Sequence, residues 1–185
     1  GATVVGSRFV LKTKLTADGR FDKRKSRLVA QGFSQIPGVD FDPAQVFSPV
    51  IGTTSLRMLL ALATILDFEL HVVDVKGAYL NAKLSEEIFM RFPRGYGEEK
   101  GKCMRLKKAL YGLKQSAHLW NEALNAFLIK LGFKRLKSDL CIYVKFDDRE
   151  SPSCIVGVFV DDIPILGRTV DEIRWFKGKI KGKFR

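Results

Sequence analysis

Three aspartates carry the chemical interest of this sequence. Asp161 and Asp162 stand side by side where the apolar run Val156–Val160 ends, and Asp74 interrupts the apolar stretch His71–Val75. Two carboxylates about 4 Å apart repel by roughly 1 kcal/mol in water and roughly 4 kcal/mol at an effective dielectric near 20. Such a pair either sits on a wet turn, where aspartate tolerates left-handed backbone and bonds its own turn, or it brackets a cation. Asp147 and Asp148, in the polar turn DDRESP, illustrate the first case and read as solvated. Asp74 favours the second case for Asp161 and Asp162. It closes what reads as a central strand covered on both faces, where a lone carboxylate is costly. Adjacent strands would bring the three acids together, and three converging carboxylates call for a hard divalent cation, Mg²⁺ by default. Two such ions make a site for in-line phosphoryl or nucleotidyl transfer, one activating the attacking hydroxyl and the other holding the leaving oxygens.

The elements that must position these acids are legible in the pattern. Arg8 to Leu15, then ADGR, then Phe21 onward reads as a β-hairpin, with Asp18-Gly19 as the turn. Thr53 or Thr54 can cap a helix with Leu56, Leu59, Leu60, Ala63 and Leu66 at helical spacing. Met58, Leu62 and Ile65 widen its stripe and predict burial on most sides. Leu70 to Val75 is apolar at both parities and predicts the central strand. Pro93 to Gly101 is a loop. Ser116 can cap a second helix, which Gly132 ends. Leu140–Phe146, Ser153–Val160 and Ile163–Leu166 follow as strands. Thr169 and Glu172 form a capping box for a basic terminal helix with Ile173, Phe176 and Ile180 inward, although Gly178 and Gly182 weaken it by roughly 1 kcal/mol each. The order predicts an α+β domain with a largely antiparallel sheet.

Composition bounds the function. With 185 residues, 46% hydrophobic and 28% charged, the chain has the makeup of one globular domain rather than a disordered segment. Its longest apolar run, near Met58–Leu66, is too short for a membrane span. No secretory leader is visible, and three cysteines without a CxxC argue for a reducing compartment and against zinc. The net charge of +12 attracts polyanions. Arg8–Arg27 holds eight basic residues against two acids, Lys102–Lys114 five against none, and Arg168–Arg185 seven against two. Any one such run is ordinarily a solvated face; three of one sign make nucleic acid the leading partner.

These residues fall into a known order. Lys25–Phe41 (KSRLVAQGFSQIPGVDF), Phe47–Val50 (FSPV), Leu70–Asn81 (LHVVDVKGAYLN), Arg105–Ser116 (RLKKALYGLKQS), Leu131–Lys145 (LGFKRLKSDLCIYVK) and Phe159–Asp162 (FVDD) are collinear. Together they closely resemble the reverse transcriptase domain of copia-type LTR retrotransposons, over nearly the whole chain. The resemblance implies a right-hand polymerase: fingers at roughly 8–50 and 86–115, palm at roughly 53–85 and 116–185, and no thumb or RNase H. It implies that Asp74, Asp161 and Asp162 are catalytic and hold two Mg²⁺ ions, with Mn²⁺ as an alternative, and that Val75 lends a backbone carbonyl. Tyr79 matches the aromatic that excludes a ribose 2′-hydroxyl. Lys12, Lys14, Lys25 and Arg27 lie where triphosphate-binding side chains occur, and Tyr111, Gly112 and Lys114 match the nucleotide-pocket segment. The implied partners are an RNA or DNA template with its primer and dNTPs, with RNase H and integrase regions in a parent Gag-Pol polyprotein. The implied location is a cytoplasmic virus-like particle, with nuclear passage of the DNA.

Some positions depart from the family pattern. Phe159 replaces the usual tyrosine, Ala117 and His118 replace proline and arginine, Pro164 replaces a plain apolar residue, and Arg8 stands where an aromatic is common. Two further readings compete: a catalytically silent remnant that at most binds nucleic acid, and a two-metal nuclease or phosphatase. The second explains neither Tyr79 nor the collinear motifs.

Overall fold

The computed structural model describes residues 3–96 and 101–184. Along the chain the strands and helices are β1 (Val4–Leu15), β2 (Phe21–Gln31), α1 (Thr53–Ile65), β3 (Glu69–Asp74), β4 (Phe89–Met90) and β5 (Met104–Arg105). There follow α2 (Ser116–Lys130), β6 (Lys134–Arg135), β7 (Ile142–Phe146), β8 (Pro152–Gly157), β9 (Asp162–Gly167) and α3 (Val170–Lys183). The fold is α+β, and the chain divides into two compact units, Gly1–Phe47 with Ala82–Leu119 and Ser48–Asn81 with Trp120–Arg185.

The first unit is built on a sheet of order β2-β1-β4-β5. Its hairpin closes where the sequence places it: the Gly19 amide donates to the Thr16 carbonyl at 3.0 Å, and Gly19 takes φ +82°. β1 begins at Val4 because Val4 and Val5 run parallel to Phe89 and Met90. A small core of Val5, Ala30, Ile88, Met90 and Leu113 fastens the hairpin's base.

The second unit is a sheet of order β3-β9-β8-β7-β6, antiparallel throughout. Trp120, Leu124 and Leu128 of α2 and Ile173, Phe176 and Ile180 of α3 supply its helical core, as the periodicity predicts. The Thr169–Glu172 capping box forms in both directions, and α3 runs through Gly178 and Gly182. Ser116 does not act as a cap by its side chain; its hydroxyl donates back to the Leu110 carbonyl at 2.6 Å.

Two expectations of burial fail. β3 is the outermost strand, not a central one; Val72 is 62% exposed, and Leu70 and Asp74 are exposed with it. Apolar residues at both parities show that a strand can be covered twice, not that the sheet supplies a neighbour on each side. The strands covered on both faces are β8 and β9, where Ser153–Val158 and Ile163–Gly167 are buried without a break. α1 likewise buries one face, through Leu59 and Ala63, and leaves Met58 59% and Ile65 76% exposed.

Candidate active site

β3 and β9 pair so that Asp74 and Asp162 are Cα partners at the end of the ladder. Residues directly opposed across an antiparallel pair share a face, and like charges placed so repel each other. One step on, the Val75 amide donates to the Asp161 carbonyl at 2.9 Å, so Asp161 is tied to the residue after Asp74. The turn carrying Asp161 is tight. Phe159 and Asp162 exchange two backbone hydrogen bonds, each 2.9 Å, leaving Val160 and Asp161 as its two central residues. Val160 takes φ +57° and Asp161 does not take a positive φ, the pattern of a type II′ turn, whose first central position normally calls for glycine. The left-handed residue is therefore the β-branched Val160, not an aspartate as turn chemistry alone suggests. Such a conformation costs on the order of 1–3 kcal/mol and persists only where its surroundings hold it. The holding group is the indole of Trp120, buried in α2, whose Nε1–H donates to the Val160 carbonyl at 2.7 Å.

Asp74 and Asp162 are exposed and Asp161 is half-buried. The desolvation argument for Asp74 thus falls away with the central-strand expectation; what remains is the opposition of charges. Tyr79 lies on a 3-10 turn, Ala78–Asn81, half-buried against the core. Burial pushes its phenol up, and the Asp161 charge adds to that shift. Among the described residues no three His, Cys, Asp or Glu side chains gather as a metal-binding group. Asp74 and Asp162 stand opposite each other on the ladder, and Asp161 precedes Asp162 on the turn. That donor set, hard oxygens on exposed facing positions, fits Mg²⁺, which uses one or two protein carboxylates and completes its shell with water or phosphate oxygens. Asp147, by contrast, is more than a solvated acid. It accepts from the Ser151 and Arg149 amides and pairs with Arg168 at 2.8 Å, and the Arg168 hydrogen bond holds its carboxyl below the usual range.

The other candidate residues belong to the first unit. The register Lys12↔Lys25, Lys14↔Lys23, Val10↔Arg27 and Arg8↔Val29 puts every even-numbered residue of β1 and its odd-numbered partner on β2 on one face. Lys12, Lys14, Lys25 and Arg27 therefore share a face, joined there by Arg8 and Lys23. Lys12 directly opposes Lys25 and Lys14 opposes Lys23, and Lys23 also pairs with Asp22 at 3.4 Å. The Arg27 guanidinium lies 6.0 Å from the Tyr111 ring centroid. Gly112 has φ +95°, and a Cβ there would run into the Ala30 carbonyl, so backbone packing accounts for this glycine. Lys114 is exposed, and its amide donates to Gln35 Oε1 at 2.8 Å. Sequence reasoning passed over the buried network behind it. Gln35 donates to Gln115 Oε1 at 3.0 Å, Gln115 donates to the Asp40 carbonyl at 2.9 Å, and the Asp40 carboxylate accepts from the Ile36 amide at 2.7 Å. This network locks the loop after β2 onto the Tyr111–Ser116 segment.

A family model described as "Reverse transcriptase (RNA-dependent DNA polymerase)" matches residues 1–185. The chain belongs to that family. Among curated relatives, this reverse transcriptase domain is 37% identical over 179 residues to the "Retrovirus-related Pol polyprotein from transposon TNT 1-94" of Nicotiana tabacum, covering 96% of this chain and 13% of that protein. It is 37% identical over 167 residues to the corresponding polyprotein of transposon RE2 from Arabidopsis thaliana, covering 89% and 11%. It is 30% identical over 182 residues to the "Transposon Ty1-MR1 Gag-Pol polyprotein" of Saccharomyces cerevisiae, covering 98% and 10%. These are copia-type Pol polyproteins, and the chain spans about an eighth of their length or less. The solved structure of apo telomerase from Candida Tropicalis, truncated from its C-terminal domain, overlays 98% of this chain and 47% of its own at a TM-score of 0.46 and 11% identity, a likeness too distant to carry argument.

Three of the departures from the family pattern in this reverse transcriptase domain, Pro164, His118 and Phe159, have local accommodations. Pro164 is buried in β9 opposite Val72, and Gly157 gives it room: a Cβ at Gly157 would sit 3.1 Å from the proline Cγ. The His118 ring Nδ1–H donates to the Phe47 carbonyl at 2.8 Å. Phe159 is 49% exposed, so a hydroxyl at its ring could reach solvent without disturbing the core.

Proposed function

We propose that this domain is the RNA-directed DNA polymerase module of a copia-type Pol polyprotein, adding deoxynucleotides to a primer 3′ end on an RNA or DNA template with release of pyrophosphate. The observation that carries the reading is the opposition of Asp74 and Asp162 beside a turn that holds Val160 in left-handed backbone. The second unit is then the palm and the first the fingers. Asp74, Asp162 and Asp161 would hold Mg²⁺ with the Val75 carbonyl; when bound, the ions supply activation of the attacking hydroxyl and stabilisation of the departing pyrophosphate. The chain's own residues do the rest. Trp120 fixes the turn, so the Asp161 carboxylate is positioned before substrate arrives. Tyr79, packed against the core of the same unit as Asp161, would offer a flat wall against which a 2′-hydroxyl clashes. On the hairpin, Lys12, Lys14, Lys25 and Arg27 present four cations from one face to a triphosphate. In the parent polyprotein, RNase H and integrase regions complete the replication apparatus.

The test is Mg²⁺-dependent primer extension on poly(rA) by this chain and by Asp161→Asn. Incorporation by the parent and its loss in the variant is expected, and equal incorporation by both refutes the site. Absence of incorporation from both, with RNA binding retained, supports the catalytically silent reading.

A further inference from the structure

β3 leaves one long side of its sheet open. It ends the order β3-β9-β8-β7-β6, so among the described residues no strand pairs with its outer edge. The Val75 amide points inward to the Asp161 carbonyl, and the register from Glu69 to Asp74 is unbroken. Backbone direction alternates along a strand, so Leu70, Val72 and Asp74 turn their N–H and C=O outward. Their side chains share one face, where Leu70 and Val72 are 41% and 62% exposed. On the opposite face Val73 and Val75 look towards α3, across a groove of about 620 Å³ floored by Ile180 and Phe184. That floor is largely buried; the open rim is cationic, with Lys76, Lys177 and Lys181 along it. Lys177 and Lys181 are one helical turn apart and so lie on the same face of α3. Lys177 Nζ donates to His71 Nδ1 at 2.7 Å, which fixes its position and leaves its other N–H donors to a ligand.

We infer that the β3 edge is a docking site for an extended peptide of a partner protein, one that alternates apolar and glutamate residues and adds a strand to the sheet. The outward row of amides and carbonyls on β3 supplies the main-chain hydrogen bonds of such an addition, and its two faces read alternate side chains. Apolar residues of the peptide cover Leu70 and Val72. Glutamates on the other face lay their methylenes over the rim of the groove and bring carboxylates to Lys76, Lys177 and Lys181. Other occupants fit only half of this surface. An antiparallel second copy places both α3 helices on one side of the joined sheet, lysine rim against lysine rim. A nucleic-acid strand meets the lysines but leaves the β3 backbone unpaired and Leu70 and Val72 bare. The inference is independent of the polymerase reading: it uses no carboxylate of the candidate site and is measured without catalysis.

The test is fluorescence anisotropy of the full chain with a labelled short peptide of alternating valine and glutamate. Saturable binding is expected, and its absence overturns the site. Lys177→Ala/Lys181→Ala should weaken binding by roughly 2- to 30-fold, the loss of two exposed ion pairs. The control is Lys179→Ala/Lys183→Ala, which removes equal charge from exposed positions of the same helix outside the groove and should cost less. Val72→Pro deletes an outward N–H from an edge strand, where proline is tolerated, and should abolish binding while circular dichroism stays native. The same peptide N-methylated throughout tests those hydrogen bonds from the ligand's side, whether or not that variant folds. It keeps every side chain, loses every amide donor, and should not bind. Equal losses in the two lysine double variants mean diffuse attraction and overturn the site, as does undiminished binding of the methylated peptide. Labelled oligo(dT) that depends on Lys177 and Lys181 as strongly as the peptide does, and still binds Val72→Pro, assigns the rim to nucleic acid and overturns the peptide reading.

Discussion

Replacing Trp120 with phenylalanine keeps an aromatic ring in the core and deletes one hydrogen bond, the 2.7 Å contact from Nε1 to the Val160 carbonyl. The carbonyl left behind has lost its partner at a partly buried site, which costs about 1–3 kcal/mol. Trp120 is only 2% exposed, so the smaller ring leaves a void that adds roughly 1 kcal/mol. The sum is about 2–4 kcal/mol. In a chain of 185 residues each kcal/mol moves Tm by about 2–4 °C, so the middle of that range predicts a fall of about 6–12 °C. Activity should fall by more than stability explains, because Val160 is no longer held in its strained conformation and Asp161 moves with it. Thermal melts by circular dichroism, with primer extension well below the variant's Tm, measure both. A Tm within about 1 °C of the parent would refute the idea that Trp120 holds the turn.

Gly112→Ala should destabilise the first unit by roughly 2–4 kcal/mol, through the left-handed backbone and the collision with the Ala30 carbonyl; a urea midpoint equal to the parent's contradicts this. Burial alone would raise the Asp139 carboxyl, but hydrogen bonds from the Ser55 hydroxyl and the Cys141 and Gly52 amides hold it below its ordinary 3.8. Its contribution is therefore complete above the unfolded-state value and is lost as pH falls through the folded-state one. Stability of the parent should drop more steeply than that of Asp139→Asn between about pH 5 and pH 2, and parallel curves would argue against the linkage. Burial pushes the Cys141 thiol to about 11 and the Cys154 thiol to about 12, whereas Cys103 is exposed. A thiol reagent at pH 8 should find one fast-reacting group in the native chain and three after denaturation, and fast reaction of two or more native thiols would count against the buried positions.

Local signals in the sequence translated well into local structure. Asp18-Gly19 set the hairpin turn, Thr169 and Glu172 set the start of α3, and Ile173, Phe176 and Ile180 set its buried face. What escaped was whatever depends on neighbours distant in the chain. The run Leu70–Val73 carries no mark of its place in the sheet, so an edge strand read as a central one. Two-residue strands such as β4, β5 and β6 are too short for any periodicity to show. Gln35 and Gln115 stand 80 residues apart, and nothing in either one's surroundings announces the other. Trp120 sits at a core position of α2, which hid the use of its N–H on a turn 40 residues away. Charge interrupting an apolar run is a local signal and singles out Asp74, Asp161 and Asp162; the pairing of Asp74 with Asp162 is set by register and carries no such mark.

The outer position of β3 bears on how the isolated domain behaves in a tube. An edge strand showing Leu70 and Val72 to solvent is a template for a second copy to add its own edge, the usual first step towards aggregates. No proline or bulge interrupts β3 itself, since Pro164 lies on its partner β9. What keeps copies apart is the net charge of +12, a long-range repulsion that salt screens within about 10 Å at 0.1 M. The same cations that draw in a polyanion therefore also act as the domain's colloidal protection. Neutralising them without covering β3, by high salt or by a small multivalent anion, should turn a dispersed protein into a self-associating one.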